Sequence, residues 1–152
     1  MASRPVSDLT AHLGYWLRFV SNHVSGAFAR KLEGKGVSVV EWVTMRELYG
    51  ADALAPSRMA DAIGLTRGEI TKIADRLIAK GLVKRDADAA DGRAQTLALT
   101  QKGRALIPKL AALADQNDAD FFGDLDPALV ETVTAAMQEI VRRRGLKPIP
   151  IE

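Results

Sequence analysis

Between Pro56 and Gly81 the chain is punctuated so closely that only two short helices fit. Pro56 suits a first helical position, where its missing N–H costs nothing. Ser57 to Ile63 then allows barely two turns before Gly64. The next segment opens on Thr66-Arg-Gly-Glu69, a capping box in which the hydroxyl and the carboxylate each satisfy a free backbone amide. Its apolar residues, Ile70, Ile73, Ala74, Leu77 and Ile78, form one stripe at helical period, and it stops at Gly81. Two helices joined only by Gly64-Leu65 read as a helix-turn-helix.

The flanks read as further helices and one hairpin. Upstream, Leu9, Leu13, Trp16, Leu17, Val20, Val24, Ala27 and Phe28 fall three or four apart, which predicts a helix from about Asp8 to Leu32. Asp8 is its expected cap, and Gly34 and Gly36 end it. Ser38-Val-Val-Glu41 is a second capping box, opening a helix that runs to Tyr49 and Gly50. Downstream, Leu82 to Arg85 is compatible with a strand and Thr96 to Thr100 alternates with period two. The polar, small and acidic loop between them makes a wing. Helical period returns at Leu106, Leu110, Leu113, Asn117 and Phe121, and Asp126-Pro127 starts a last helix to about Arg144. The expected fold is mainly α with a small β-hairpin wing.

A DNA-reading helix would use the face opposite its stripe. At about 100° per residue the outward positions are Gly68, Lys72, Asp75, Arg76 and Ala79, with Arg67, Glu69 and Thr71 at the margins. Cations there can reach guanine edges or phosphates in the major groove, and Gly68 permits close approach. Glu69 can accept from a cytosine amine unless capping occupies it. A solvated helix face would also carry such residues, and Asp75 and Glu69 fit that blander reading. The wing shifts the balance. Arg93 stands alone at its tip, and the narrow, negative minor groove is where an arginine of this kind inserts. Asp91, two residues earlier, can pair with Arg93 and hold it extended.

Charge agrees with this division. The 152 residues carry a net charge of only +2, but Pro56–Arg104 holds a net +4 and Ala105–Val141 a net −6. A basic middle beside an acidic flank fits an anion docking on the middle alone. The chain has no cysteine, which excludes thiolate catalysis, disulfides and Cys-based zinc sites. His12 and His23 are about 16 Å apart along one helix and cannot share a metal, so no metal and no cofactor is expected. There is no glycine-rich phosphate loop and no histidine beside a nucleophile, hence no enzyme. The N-terminus MASRPVSD lacks the apolar core of a signal peptide and no apolar run is long enough to cross a membrane. A cytoplasmic location is expected.

The run Asp91-Gly-Arg93-Ala-Gln-Thr-Leu97-Ala-Leu99-Thr100, followed by Gln-Lys-Gly103, resembles the wing of the MarR (multiple antibiotic resistance) family of bacterial regulators. Ile73-Ala-Asp-Arg76-Leu77-Ile-Ala-Lys-Gly81-Leu82-Val83-Lys-Arg85 is similar to that family's recognition helix and first wing strand. The resemblance spans nearly the whole chain. It implies a single domain over 1–152, a winged helix-turn-helix homodimer. Segments 8–33 and 101–144 would dimerise and 38–100 would form the DNA-binding lobe. By position, Thr66, Arg67, Gly68, Glu69, Thr71, Lys72 and Arg76 would face the major groove and Arg93, braced by Asp91, the minor groove. Lys84 and Arg85 would lie near the phosphate backbone. The implied operator is a pseudo-palindrome in double-stranded DNA, and the implied role is that of a repressor.

The resemblance also implies a small-molecule effector, an aromatic or phenolic acid, in a cleft between the dimer helices and the lobe. By position its candidates are His12, Tyr15, Trp16 and Arg18, with Trp42 and Arg46; Trp16 and Trp42 also suit an apolar core. Two departures stand out. Gly68 occupies a place where a bulkier residue is common, and Pro108 should kink or restart the fifth helix. The alternative is a winged protein-interaction module without DNA binding, against which Lys72, Arg76 and Arg93 argue.

Overall fold

The computed structural model describes residues 4–88, 90 and 92–148. Six helices and one hairpin follow in order: α1 (Leu13–Glu33), α2 (Val39–Tyr49), α3 (Pro56–Ile63), α4 (Arg67–Ala79), β1 (Val83–Ala87), β2 (Gln95–Leu99), α5 (Gln101–Phe122) and α6 (Pro127–Arg144). The mainly α fold with its hairpin is the expected one.

Local chemistry places most boundaries. Ser38 and Glu41 close the box at the start of α2, and Thr66 and Glu69 close the one at the start of α4. Gly64 ends α3 with φ +80, a left-handed conformation that glycine enters without a Cβ penalty. Asp126 caps α6 by accepting from the Ala128 amide at 3.0 Å.

One expectation fails outright, and of the two offered for Pro108 the restart fails. Asp8 makes no capping bond, because residues 8–12 close a separate turn, Leu9–Ala11, through Ala11 N–H to Asp8 O and His12 N–H to Leu9 O. The extended backbone of His12 then interrupts the chain, and α1 begins at Leu13. The apolar period runs across this break, which is why it predicted one helix. Pro108 does not restart α5, which runs unbroken from Gln101 to Phe122. Ile107 and Leu110 on either side are fully packed, and their burial outweighs the single backbone bond that proline removes.

The core lies in the middle of the chain. Leu48 of α2, Met59 of α3, Ile70 and Leu77 of α4, Leu97 of β2, and Ile107 and Leu110 of α5 are all essentially buried. Burying such a side chain contributes about 1.5–3 kcal/mol. The hairpin pairs Val83 with Leu99 and Ala87 with Gln95. Leu54, in the link before α3, exchanges both backbone bonds with Leu97 at 2.9 and 2.8 Å, an isolated bridge that ties this link to the wing's base. Gly103 lets α5 pass against the α4–β1 link: a Cβ there would stand 2.0 Å from the Leu82 carbonyl oxygen.

An ion pair locks α4 to α2. Lys80 Nζ donates to both carboxylate oxygens of Glu41, at 3.0 and 2.8 Å, and to Gly36 O at 2.8 Å. Glu41 is 3% exposed. Burial pushes its pKa up, but the Lys80 bonds and those from Ser38 outweigh it and hold the carboxyl below its ordinary value.

The outer helices remain uncovered. Leu13 is 70% exposed, and Trp16, Leu17 and Val20 continue its face along α1. No residue of α6 is buried, although Leu129, Val133, Met137 and Ile140 repeat at helical spacing.

Candidate nucleic-acid interface

Helix α4 turns Ile70, Ile73, Ala74 and Leu77 inward and leaves Arg67, Gly68, Glu69, Thr71, Lys72, Asp75 and Arg76 exposed. This is the face that the helical period predicted. Thr66, also exposed, starts it as the N-cap.

Several of these groups are already engaged. Glu69 Oε2 accepts from the Thr66 amide at 2.7 Å, and the Thr66 hydroxyl accepts from the Glu69 amide at 3.2 Å. The Thr66 amide and hydroxyl, with Lys72 nearby, hold the Glu69 carboxyl below its usual pKa. Glu69 thus fixes the first turn instead of standing ready for a base. Thr71 donates to the Arg67 carbonyl at 3.0 Å.

The acid on the outward face does not stand alone. Arg85, on β1, donates to Asp75 at 3.0 Å. This bridge was not foreseen, since the partners lie ten residues apart on different elements, and it neutralises Asp75 while tying the wing to α4. Lys84 is exposed and pairs with Asp86 at 3.4 Å.

In the wing loop, Asp88 shapes the approach to the tip: its amide donates to Ala94 O at 2.8 Å and its carboxylate accepts from the Ala90 amide at 2.9 Å. Arg93 is exposed beyond this closure. Asp91, the expected brace, lies outside the described residues.

A cleft of about 220 Å³ opens between α1, α2 and α5. Val24, Ser25 and Phe28 line it from α1, and Val39, Trp42 and Val43 from α2. Ala114, Asn117 and Asp118 complete it from α5. Phe28 and Trp42 meet edge to face, with centroids 6.4 Å apart. Asn117 is buried and satisfied: it donates to Val24 O at 3.1 Å and accepts from Lys31 at 2.9 Å.

Of the six effector candidates only Trp42 lines this cleft. Tyr15 and Trp16 meet edge to face and both lie tilted against Phe19 along α1, and the Trp16 indole donates to Thr10 O at 2.9 Å. His12 sits at the break before α1, and Arg18 is exposed. Arg46 lies over the Tyr49 ring, 5.6 Å from its centroid, with Arg104 on the same ring at 5.2 Å. Phe28 was missed because it read as one more core position on α1.

A helix pair with a cationic outward face, a bridge at the base and a tied hairpin define a winged helix-turn-helix. Residues 35–94 match the model of the MarR family, the family whose resemblance the sequence carries. The family is one of transcriptional regulators and not of enzymes.

Solved structures extend the fold match to almost the entire chain. CouR from Rhodococcus jostii, bound to p-coumaroyl-CoA, is 24% identical with a TM-score of 0.78, covering 97% of this chain and 100% of that one. BpsR from Bordetella bronchiseptica, whose DNA binding 6-hydroxynicotinic acid regulates, is 21% identical with a TM-score of 0.78, covering 90% and 97%. A mutant MarR from E. coli complexed with operator DNA is 20% identical with a TM-score of 0.78, covering 89% and 99%.

Proposed function

We propose that the chain is a homodimeric transcriptional regulator that binds a pseudo-palindromic operator in double-stranded DNA and acts as a repressor. The observation that carries this is the composition of the outward face of α4. Arg67, Lys72 and Arg76 are exposed there, Gly68 leaves the first turn open, and Arg85 compensates Asp75. A cationic helix face of this kind suits the major groove, and Arg93 on the wing suits the minor groove alongside. In this reading the exposed Lys84 contacts the phosphate backbone, while Glu69 and Thr71 support the first turn.

Segments 8–33 and 101–144 form the dimer in this reading, and 38–100 the reading lobe. The uncovered apolar faces of α1 and α6 support it, since an exposed stripe that long is unusual for a monomer. Two lobes would meet half-sites about one helical turn apart. The cleft holding Trp42 would take a small aromatic effector that releases the DNA. No helix among the described residues is long and apolar enough to cross a membrane, and we place the protein in the cytoplasm.

Fluorescence anisotropy with the DNA flanking the gene tests the reading. One dimer should bind per site, with affinity falling steeply as salt rises. Equal affinity for scrambled duplex would remove sequence-specific regulation, and no binding to either duplex would leave a protein-interaction module.

A further inference from the structure

The cleft between α1, α2 and α5 carries charge of the wrong sign for an acid. No Lys, Arg or His is among its lining residues; its charged residue is Asp118. Lys31 reaches Asn117, but its ammonium is shared between Asn117 Oδ1 at 2.9 Å and Asp120 at 3.0 Å. Asp118 also stands in an acidic setting. Asp115, Asp118 and Asp120 are exposed along α5, within the stretch Ala105–Val141 that holds a net −6. A carboxylate entering here would meet a negative potential, and an ammonium would be drawn in.

Size and shape narrow the ligand further. An apolar cavity of roughly 150 Å³ holds one benzene, so a cleft of about 220 Å³ has room for one ring and a short arm. The edge-to-face pair of Phe28 and Trp42 offers an aromatic wall, and Trp is the strongest side-chain partner for a cation.

We propose that the cleft selects an aromatic amine, its ring against Phe28 and Trp42 and its protonated amine at Asp118. This rests on the cleft being the effector site, and it replaces the aromatic acid that the sequence resemblance implied. The same acidic character separates effector from operator: the anion docks on the basic lobe and the cation on α5.

Three matched probes test it by calorimetry on the full-length protein: phenethylammonium, phenethyl alcohol and hydrocinnamate. Phenethylammonium should bind about ten-fold tighter than the alcohol, and hydrocinnamate most weakly. Asp118→Asn should bring the amine down to the alcohol's level and leave the alcohol unchanged. Ser25→Phe, which fills the cleft from an exposed position, should weaken every probe without requiring the core to repack. If hydrocinnamate binds as tightly as the amine and Ser25→Phe weakens it, the cleft stands and the charge assignment falls. An amine affinity untouched by Asp118→Asn overturns that assignment equally. If no probe binds, or Ser25→Phe changes nothing, the effector site itself is overturned along with its ligand.

Discussion

Arg85 on the first wing strand donates to Asp75 on α4 at 3.0 Å, so the hairpin and α4 share one ion pair. An exposed bridge of this kind contributes only about 0–1 kcal/mol to folding, and its consequence is electrostatic. Arg85→Ala would leave a bare carboxylate toward the phosphates and should weaken operator binding about five-fold or more. Adding Asp75→Asn should recover part of that loss. A double-mutant cycle by anisotropy checks it, and strictly additive effects would exclude the coupling.

Lys72→Ala and Arg76→Ala should each weaken binding and flatten the salt dependence. The slope of log affinity against log salt falls by about 0.9 for each phosphate contact removed. Arg93→Ala should lose about ten-fold, most strongly on sites with A·T-rich flanks, where the minor groove narrows. Melting temperatures should hardly change, since these side chains are exposed. Unaltered affinity for Arg93→Ala would take the wing tip out of the interface.

Leu17→Glu with Val133→Glu should yield a monomer that keeps its melting transition and loses tight operator binding. Both residues are more than 40% exposed in the single chain, so the charges disturb no core. Sedimentation velocity reads the result directly. A dimer surviving both changes would place the subunit contact elsewhere.

The Glu41–Lys80 pair predicts a pH dependence. Because the folded carboxyl sits below its ordinary value, its contribution is present at neutral pH and is lost as pH falls through the lowered folded value. Stability should therefore decline in acid below the ordinary carboxylate range. Lys80→Met leaves a buried, unpaired carboxylate and should cost about 3 kcal/mol at neutral pH. Only the Ser38 bonds then oppose burial, so the carboxyl's pKa should rise relative to the parent and acid should harm the variant less. Parallel thermal melts across pH would expose the crossing trends.

Gly103→Ala should destabilise by about 1–3 kcal/mol, because a Cβ would press on the Leu82 carbonyl, which is backbone and cannot rotate away. Chemical denaturation gives the number; a neutral result would mean the first turn of α5 shifts freely.

What could be read from the sequence was local. Ser38 and Glu41, Thr66 and Glu69, and Pro56 with Gly64 declare their helix ends within a few residues, and the stripe of α4 settles which side faces out. Failures came where distant segments decide. The bridge from Leu54 to Leu97 is one residue pair and leaves no periodic trace. The cleft gathers residues from Val24 to Asp118 on three helices, so only Trp42 among its nominees was found. At His12 a continuous apolar period hid a backbone break, and at Pro108 a composition signal gave way to packing.

That unbroken fifth helix has a mechanical meaning. Its first turn is seated under the wing through Gly103, and near its far end Asn117 and Asp120 grip the first helix. At 1.5 Å per residue its 22 residues make a rod about 33 Å long, so a swing of about ten degrees moves the wing end by about 6 Å. In a twofold assembly both arms would swing together, and a few degrees at the hinge would carry the reading heads out of phase with the duplex.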